Sequence, residues 1–170
     1  MPKNEAMLCS PLLRAAISVR SLERSLQFYE HLFDFKEQYS RSEGTKDFIA
    51  TLTGRPPGTY LKAEIRKQPG PNFGMIGLFE LDPAPPPMLI DRKSVQLGEV
   101  GLFFYHRRLS WVLDELPKYG GELICGPIEL EIPGARFMQA MISDPDGVRI
   151  GVLDRDPRLA YKTKGLGRTM

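Results

Sequence analysis

Side chains able to do metal or covalent chemistry are few in this chain. It has two cysteines, Cys9 and Cys125, and two histidines, His31 and His106. Two thiols make neither a disulfide framework nor a zinc site, and both read as free thiols in small spaces. His31 falls among polar neighbours in a stretch of helical periodicity. His106 falls where a strand gives way to a helix, an ordinary place for a capping or surface role. Chemistry must therefore come from carboxylates and arginines that the fold gathers. The sharpest local signal is Asp144-Pro145-Asp146-Gly147 followed by Val148-Arg149-Ile150-Gly151-Val152-Leu153. Pro145 fixes its own φ and Gly147 can take φ > 0, which makes a tight turn. The alternation that follows is that of a buried strand, with Arg149 and Gly151 on one face.

These residues need a frame to hold them. The chain has 170 residues, 42% hydrophobic and 26% charged, with a net charge of +2. It is long enough to bury a substantial core, and a soluble globular protein is expected. So small a charge gives no reason to expect nucleic acid or a membrane surface as a partner. No apolar run reaches the ~20 residues that span a bilayer, and the first ten residues lack a signal-peptide core. A cytoplasmic protein is expected.

Residues 1–11 read as a loose lead-in. Residues 12–19 alternate as a strand. Ser21 then stands as a helix N-cap with Glu23 in the first turn. Leu22, Leu26, Tyr29 and Phe33 recur at helical spacing to about Asp34. Strands are expected over residues 35–42, 60–67 and 74–81, with a single helical turn around Phe48, Ile49 and Leu52. Residues 82–95 carry Pro83, Pro85, Pro86 and Pro87 and read as a stiff linker. The order then repeats. A strand is expected over 99–105, and a helix through Leu109, Val112, Leu113 and Leu116. Strand segments at 122–125 and 128–131 are separated by Gly126-Pro127, and strands follow at 135–142 and 148–153. Phe103 shares a face with Glu99 by alternation. Trp111 reads as helix core. Residues 154–170 read as a polar, basic tail. The domain expectation is a first module over 12–81, a linker over 82–95 and a second module over 96–153.

Val19-Arg20-Ser21-Leu22-Glu23-Arg24-Ser25-Leu26-Gln27-Phe28-Tyr29, with Asp144-Pro145-Asp146-Gly147, resembles the vicinal oxygen chelate superfamily of glyoxalases, bleomycin-resistance proteins, extradiol dioxygenases and epimerases. The family start runs Val-x-Asp-Leu-Glu-Arg-Ser-x-x-Phe-Tyr, and Ser21 replaces its usual Asp. The resemblance covers residues 12–153. It implies an α+β protein of two βαβββ modules whose mixed sheets curve around a cavity. It also implies four metal-ligand positions, one on the first strand and one on the last strand of each module. Counted along the sequence, these fall on Arg14, Glu80, Glu99 and Gly151, where the family usually has His or Gln, Glu, His and Glu.

That set departs from the family's chemistry. Arg cannot donate a lone pair, and Gly has no side chain. A dioxygenase centre of two histidines and a carboxylate lacks its ligands at these positions. Glu80 and Glu99 are left to hold Mg²⁺ or Ca²⁺ weakly, if any metal is held. The resemblance then suggests that Arg14 takes the ion's place between Glu80 and Glu99. The cluster reads either as a salt bridge or as a site in which Arg14, Glu80 and Glu99 act on a ligand, with Phe103, Arg149 and Gly151 lining it. No cofactor is expected, and the expected partner is a small organic molecule. Three functions stay open: a metal-poor cavity that binds or transforms that molecule, an altered metal-dependent lyase, epimerase or dioxygenase, and a non-catalytic interaction module. A homodimer is among the expected assemblies.

Overall fold

The computed structural model describes residues 9–87 and 94–161. Most of the lead-in (1–8), the middle of the proline-rich linker (88–93) and the end of the tail (162–170) lie outside the described residues. The chain divides into two compact units, Met1–Met88 and Leu89–Met170. Among the described residues no helix is long and apolar enough to cross a membrane.

The first unit runs β1 (Arg14–Val19), α1 (Leu22–Phe33), β2 (Glu37–Thr45), α2 (Asp47–Thr53), β3 (Tyr60–Lys67) and β4 (Met75–Asp82). Its sheet has the order β1-β4-β3-β2, with β1 parallel to β4 and the other pairs antiparallel. Helix α1 starts where its sequence says it should. The Ser21 hydroxyl accepts the Arg24 N–H at 3.3 Å, and Glu23 places negative charge in the first turn. It stops at Asp34, which takes the left-handed conformation at φ 60°. Its inner stripe, Leu22, Ser25, Phe28, Tyr29, Leu32 and Phe33, is buried.

Strand alternation gives the sheet two unlike faces. Ile17, Val19 and Leu78 belong to the face that α1 covers, and all three are buried. The opposite face carries Arg14, Ala16 and Ser18 from β1 and Gly77 and Phe79 from β4. There Phe79 packs with Leu61, Ala63, Leu81 and Ile49, which brings α2 onto this face.

The second unit repeats the plan with β5 (Leu102–His106), α3 (Leu109–Glu115), a 3-10 turn (Leu116–Tyr119), β6 (Glu122–Ile132), β7 (Ala135–Ser143) and β8 (Arg149–Asp154). The sheet order is β5-β8-β7-β6, again with one parallel pair, β5 with β8. Leu109, Val112 and Leu116 are buried, as are Ala140, Ile142, Ile150 and Val152. A second 3-10 turn, Pro157–Tyr161, falls within the expected tail.

Two details differ from the sequence reading. Strand β5 begins at Leu102, so Glu99 lies in the preceding turn, where its N–H donates to the Gln96 carbonyl at 3.1 Å. Gly98, at φ 85°, makes that turn. Gly126-Pro127 does not break the strand. Strand β6 runs through it with register shifts between Leu123 and Cys125 and between Cys125 and Ile128. The pair is absorbed as a bulge against β7, where a missing ladder hydrogen bond is tolerated.

Candidate functional site

The repeat supplies its own alignment. Ala16 stands six residues before Leu22, the first residue of α1, and Phe103 stands six before Leu109, the first of α3. Ala16 is paired with Gly77 on the closing strand of its sheet, and Phe103 with Gly151. Gly77 is therefore the first unit's counterpart of Gly151. By the same count Gly101 is the second unit's counterpart of Arg14. Both closing strands have a glycine at this position with a phenylalanine ring over it, Phe79 of the same strand in the first unit and Phe103 of β5 in the second. A Cβ on Gly77 would lie 2.8 Å from Phe79 Cε2 and 3.6 Å from Arg14 Cδ. A Cβ on Gly151 would overlap the Phe103 ring.

Glu80 is one residue past Phe79 and points the other way, to the α1 side of the sheet. Its Oε2 accepts the Leu22 N–H at 2.7 Å, and its Oε1 accepts from Lys62 Nζ at 2.9 Å. It satisfies one of the donors that every helix start leaves free. Arg14, on the opposite face, makes no hydrogen bond or ion pair among the described residues of its own unit and is solvent-exposed. The expected bridge from Arg14 to Glu80 is therefore not formed. The reason is strand parity: Arg14 shares its face with Phe79, not with Glu80.

The Leu22 N–H first, and Lys62 second, hold the Glu80 carboxyl below its ordinary value. A carboxylate lowered by folding stabilises the fold above its unfolded pKa and loses that contribution as pH falls through its folded one. Lys62 is 44% exposed, so its ion pair is screened by solvent and contributes little to stability. Glu80→Ala should therefore cost about 1–2 kcal/mol at neutral pH, chiefly through the helix-start hydrogen bond. That penalty should shrink in acid. Urea unfolding of both proteins at pH 7 and pH 3 measures it, and a difference independent of pH would refute the role.

Glu64 of β3 is paired with Leu78 on the face that α1 covers, and its side chain is only 1% exposed. Arg66 Nε lies 2.6 Å from its Oε1, Arg41 lies 3.7 Å from Oε2, and Arg66 also reaches Glu30 of α1 at 2.8 Å. Glu64 is the buried end of an ion-pair chain between sheet and helix. Arg20, Glu43, Lys62, Glu64 and Glu80 help to line a cleft of about 560 Å³ on this side.

The second unit has a larger cleft, about 720 Å³, on the Phe103 side of its sheet. Val95, Phe103, Leu123, Ile124, Cys125 and Met141 make its apolar wall. Glu99 and Arg149 also line it. They form an ion pair at 2.7 Å, with side chains only 7% and 9% exposed. The second Glu99 oxygen accepts the Gln96 N–H at 3.0 Å, and Arg149 also donates to the Ser94 carbonyl at 3.2 Å. The Arg149 hydrogen bond, then the Gln96 N–H, hold the Glu99 carboxyl below its ordinary value. Phe103 and Arg149 line this cleft with Glu99, and Gly151 pairs with Phe103 across the sheet. The sequence did not show that Arg149 is the partner of Glu99, because the pair closes over 50 residues.

His106 does not enter the cleft wall. Its Nδ1 accepts the Arg108 N–H at 3.1 Å, and its ring stacks on Trp111 at 5.9 Å. Burial, then the positive charge of Arg108, lowers its pKa. Among the described residues no three His, Cys, Asp or Glu side chains gather so as to hold a metal ion.

Two mixed four-stranded sheets, the first in the order β-α-β-α-β-β and the second β-α-β-β-β, make a glyoxalase-like α+β fold. Comparison with solved structures gives the same answer. The chain is similar to a glyoxalase family protein from Bacillus cereus, at 22% identity and a TM-score of 0.65, over 87% of this chain and 97% of that one. It is similar to a variant of the fosfomycin resistance protein FosX from Listeria monocytogenes, at 14% identity and a TM-score of 0.54, over 91% and 100%. It is also similar to a glyoxalase I variant from Zea mays, at 14% identity and a TM-score of 0.52, over 85% of this chain and 45% of that one. At these identities the likeness is one of fold. No family model and no curated protein matches the sequence.

Proposed function

We propose that this protein binds a small organic molecule on the open sheet face of its glyoxalase fold without using a transition metal. The observation that carries the reading is the register of the two sheets. The positions related by the repeat are Arg14, Gly77, Gly101 and Gly151. An arginine and three glycines provide no side-chain lone pair to an ion. The FosX structure was determined with Mn(II) and a dihydroxypropylphosphonic acid; this chain's residues do not fit such an ion. Glu80 faces α1 instead, and Glu99 is tied to Arg149.

Binding is favoured over proton transfer by the state of the acids. A general base works best with a pKa near the working pH. Glu80 and Glu99 are both held low, which makes them weak bases. A protein that sequesters its ligand in a reducing cytoplasm fits these features, with Cys9 and Cys125 as free thiols. Light scattering decides between monomer and homodimer.

A thermal-shift screen of small acids, quinones and neutral aromatics tests the reading, since a ligand that binds only the native state raises the melting temperature. At a ligand concentration 100 times Kd the stabilisation is about 2.7 kcal/mol, several degrees for a domain of this size. Met141→Glu, which places a charge in the apolar wall, should abolish the shift. A screen with no hits, or hits indifferent to Met141→Glu, would overturn the proposal.

A further inference from the structure

Within this reading of the cleft, we infer that the Phe103 ring is its recognition platform and that the ligand is an uncharged planar aromatic molecule. Phe103 sits on β5, the end strand of its sheet, with Gly151 beside it on the neighbouring strand β8. A Cβ on Gly151 would overlap its Cδ1 and Cε1, and a Cβ on Gly101 would lie 3.3 Å from its Cε2. The ring therefore leans across two positions that lack side chains, and those two glycines let it lie close to the backbone. Despite this the side chain is 61% exposed, so the ring face turned from the sheet is open to the cleft. An aromatic ring held from below and open above is a stacking surface. The Met141 sulfur would lie 3.3 Å from the same Gly151 Cβ, which places a polarisable atom at the platform's edge.

The charge of the ligand follows from the polar groups. Glu99 and Arg149 neutralise one another, and both Glu99 oxygens are occupied, by Arg149 and by the Gln96 N–H. They clamp the turn at residues 94–99 against β8 and offer no uncompensated charge to a ligand.

Isothermal titration calorimetry with three probes tests this: 2-naphthol, its saturated counterpart decahydro-2-naphthol, and the anion 2-naphthoate. We expect 2-naphthol to bind at least about fivefold tighter than either of the others, the size of an aromatic-pair preference beyond area burial. Phe103→Leu keeps an apolar side chain and removes the π-face. It should erase the preference for naphthol over decahydronaphthol. Gly151→Ala should do the same by displacing the ring, and because Phe103 is exposed the ring can move without unfolding the unit. Equal binding of naphthol and decahydronaphthol, tighter binding of naphthoate, or a preference that survives both variants would overturn the stacking platform while leaving the small-molecule reading standing. If none of the three probes binds, the stacking platform falls, and the thermal-shift screen decides the small-molecule reading separately.

Discussion

Phe28→Ala should lower the stability of the first unit by about 3–5 kcal/mol. The Phe28 side chain is 0% exposed. Its ring meets Tyr29 edge-on at 5.1 Å and Phe33 at 5.8 Å, and Tyr29 in turn meets Phe35 at 6.2 Å. Truncation removes the transfer free energy of the ring and leaves a space between α1 and the sheet that rigid neighbours cannot close. The same helix presents the Leu22 N–H to Glu80, so loosening α1 should also release that carboxylate toward its ordinary pKa. Urea unfolding followed by far-UV circular dichroism measures the loss. A change below about 1 kcal/mol would mean that α1 is not packed as described.

Gly126→Ala should cost about 2–5 kcal/mol in the second unit, from left-handed strain added to overpacking. Gly126 has φ 93°, and an added Cβ would lie 2.8 Å from the Gln139 carbonyl oxygen and 3.1 Å from Ala140 Cα. Those are backbone atoms of β7, which cannot turn aside as a side-chain tip can. The bulge they define carries Cys125 and adjoins Leu123 and Ile124, so the cleft wall should shift with it. Gly134 is the control. It has φ 79° with nothing within 4 Å of an added Cβ, so Gly134→Ala should cost only the conformational part, about 1–2 kcal/mol. Equal losses at the two positions in thermal unfolding would show that β6 does not approach β7 as closely as this.

The helix and strand order was readable because its signals are local. Ser21, Glu23 and the stripe from Leu22 to Phe33 specify α1 without outside help. Asp144 to Gly147 specifies the last turn: the Asp144 carboxylate accepts the Asp146 and Val148 N–H groups at 2.9 and 2.8 Å. Gly126-Pro127 misled because a bulge and a break share the same residues, and only the partner strand distinguishes them. Site positions were harder still. The first unit has no Asp-Pro-Asp-Gly turn to count from, and Glu80 is the only acid between Met75 and Leu81. Only the pairing of Ala16 with Gly77 shows that the equivalent position is a glycine. Glu99 drew attention as an acid near a strand start, and the structure places it in a turn, held by Arg149.

We propose that this chain works without a transition metal, because the positions related by its internal repeat are Arg14, Gly77, Gly101 and Gly151, whose side chains cannot ligate an ion. Elemental analysis of protein purified without chelators and dialysed exhaustively tests it most directly. The expected result is far less than one Mn, Fe, Ni or Zn ion per chain, with no rise in melting temperature when these ions are added back. One tightly held ion per chain, lost on Glu80→Ala or Glu99→Ala, would contradict the claim.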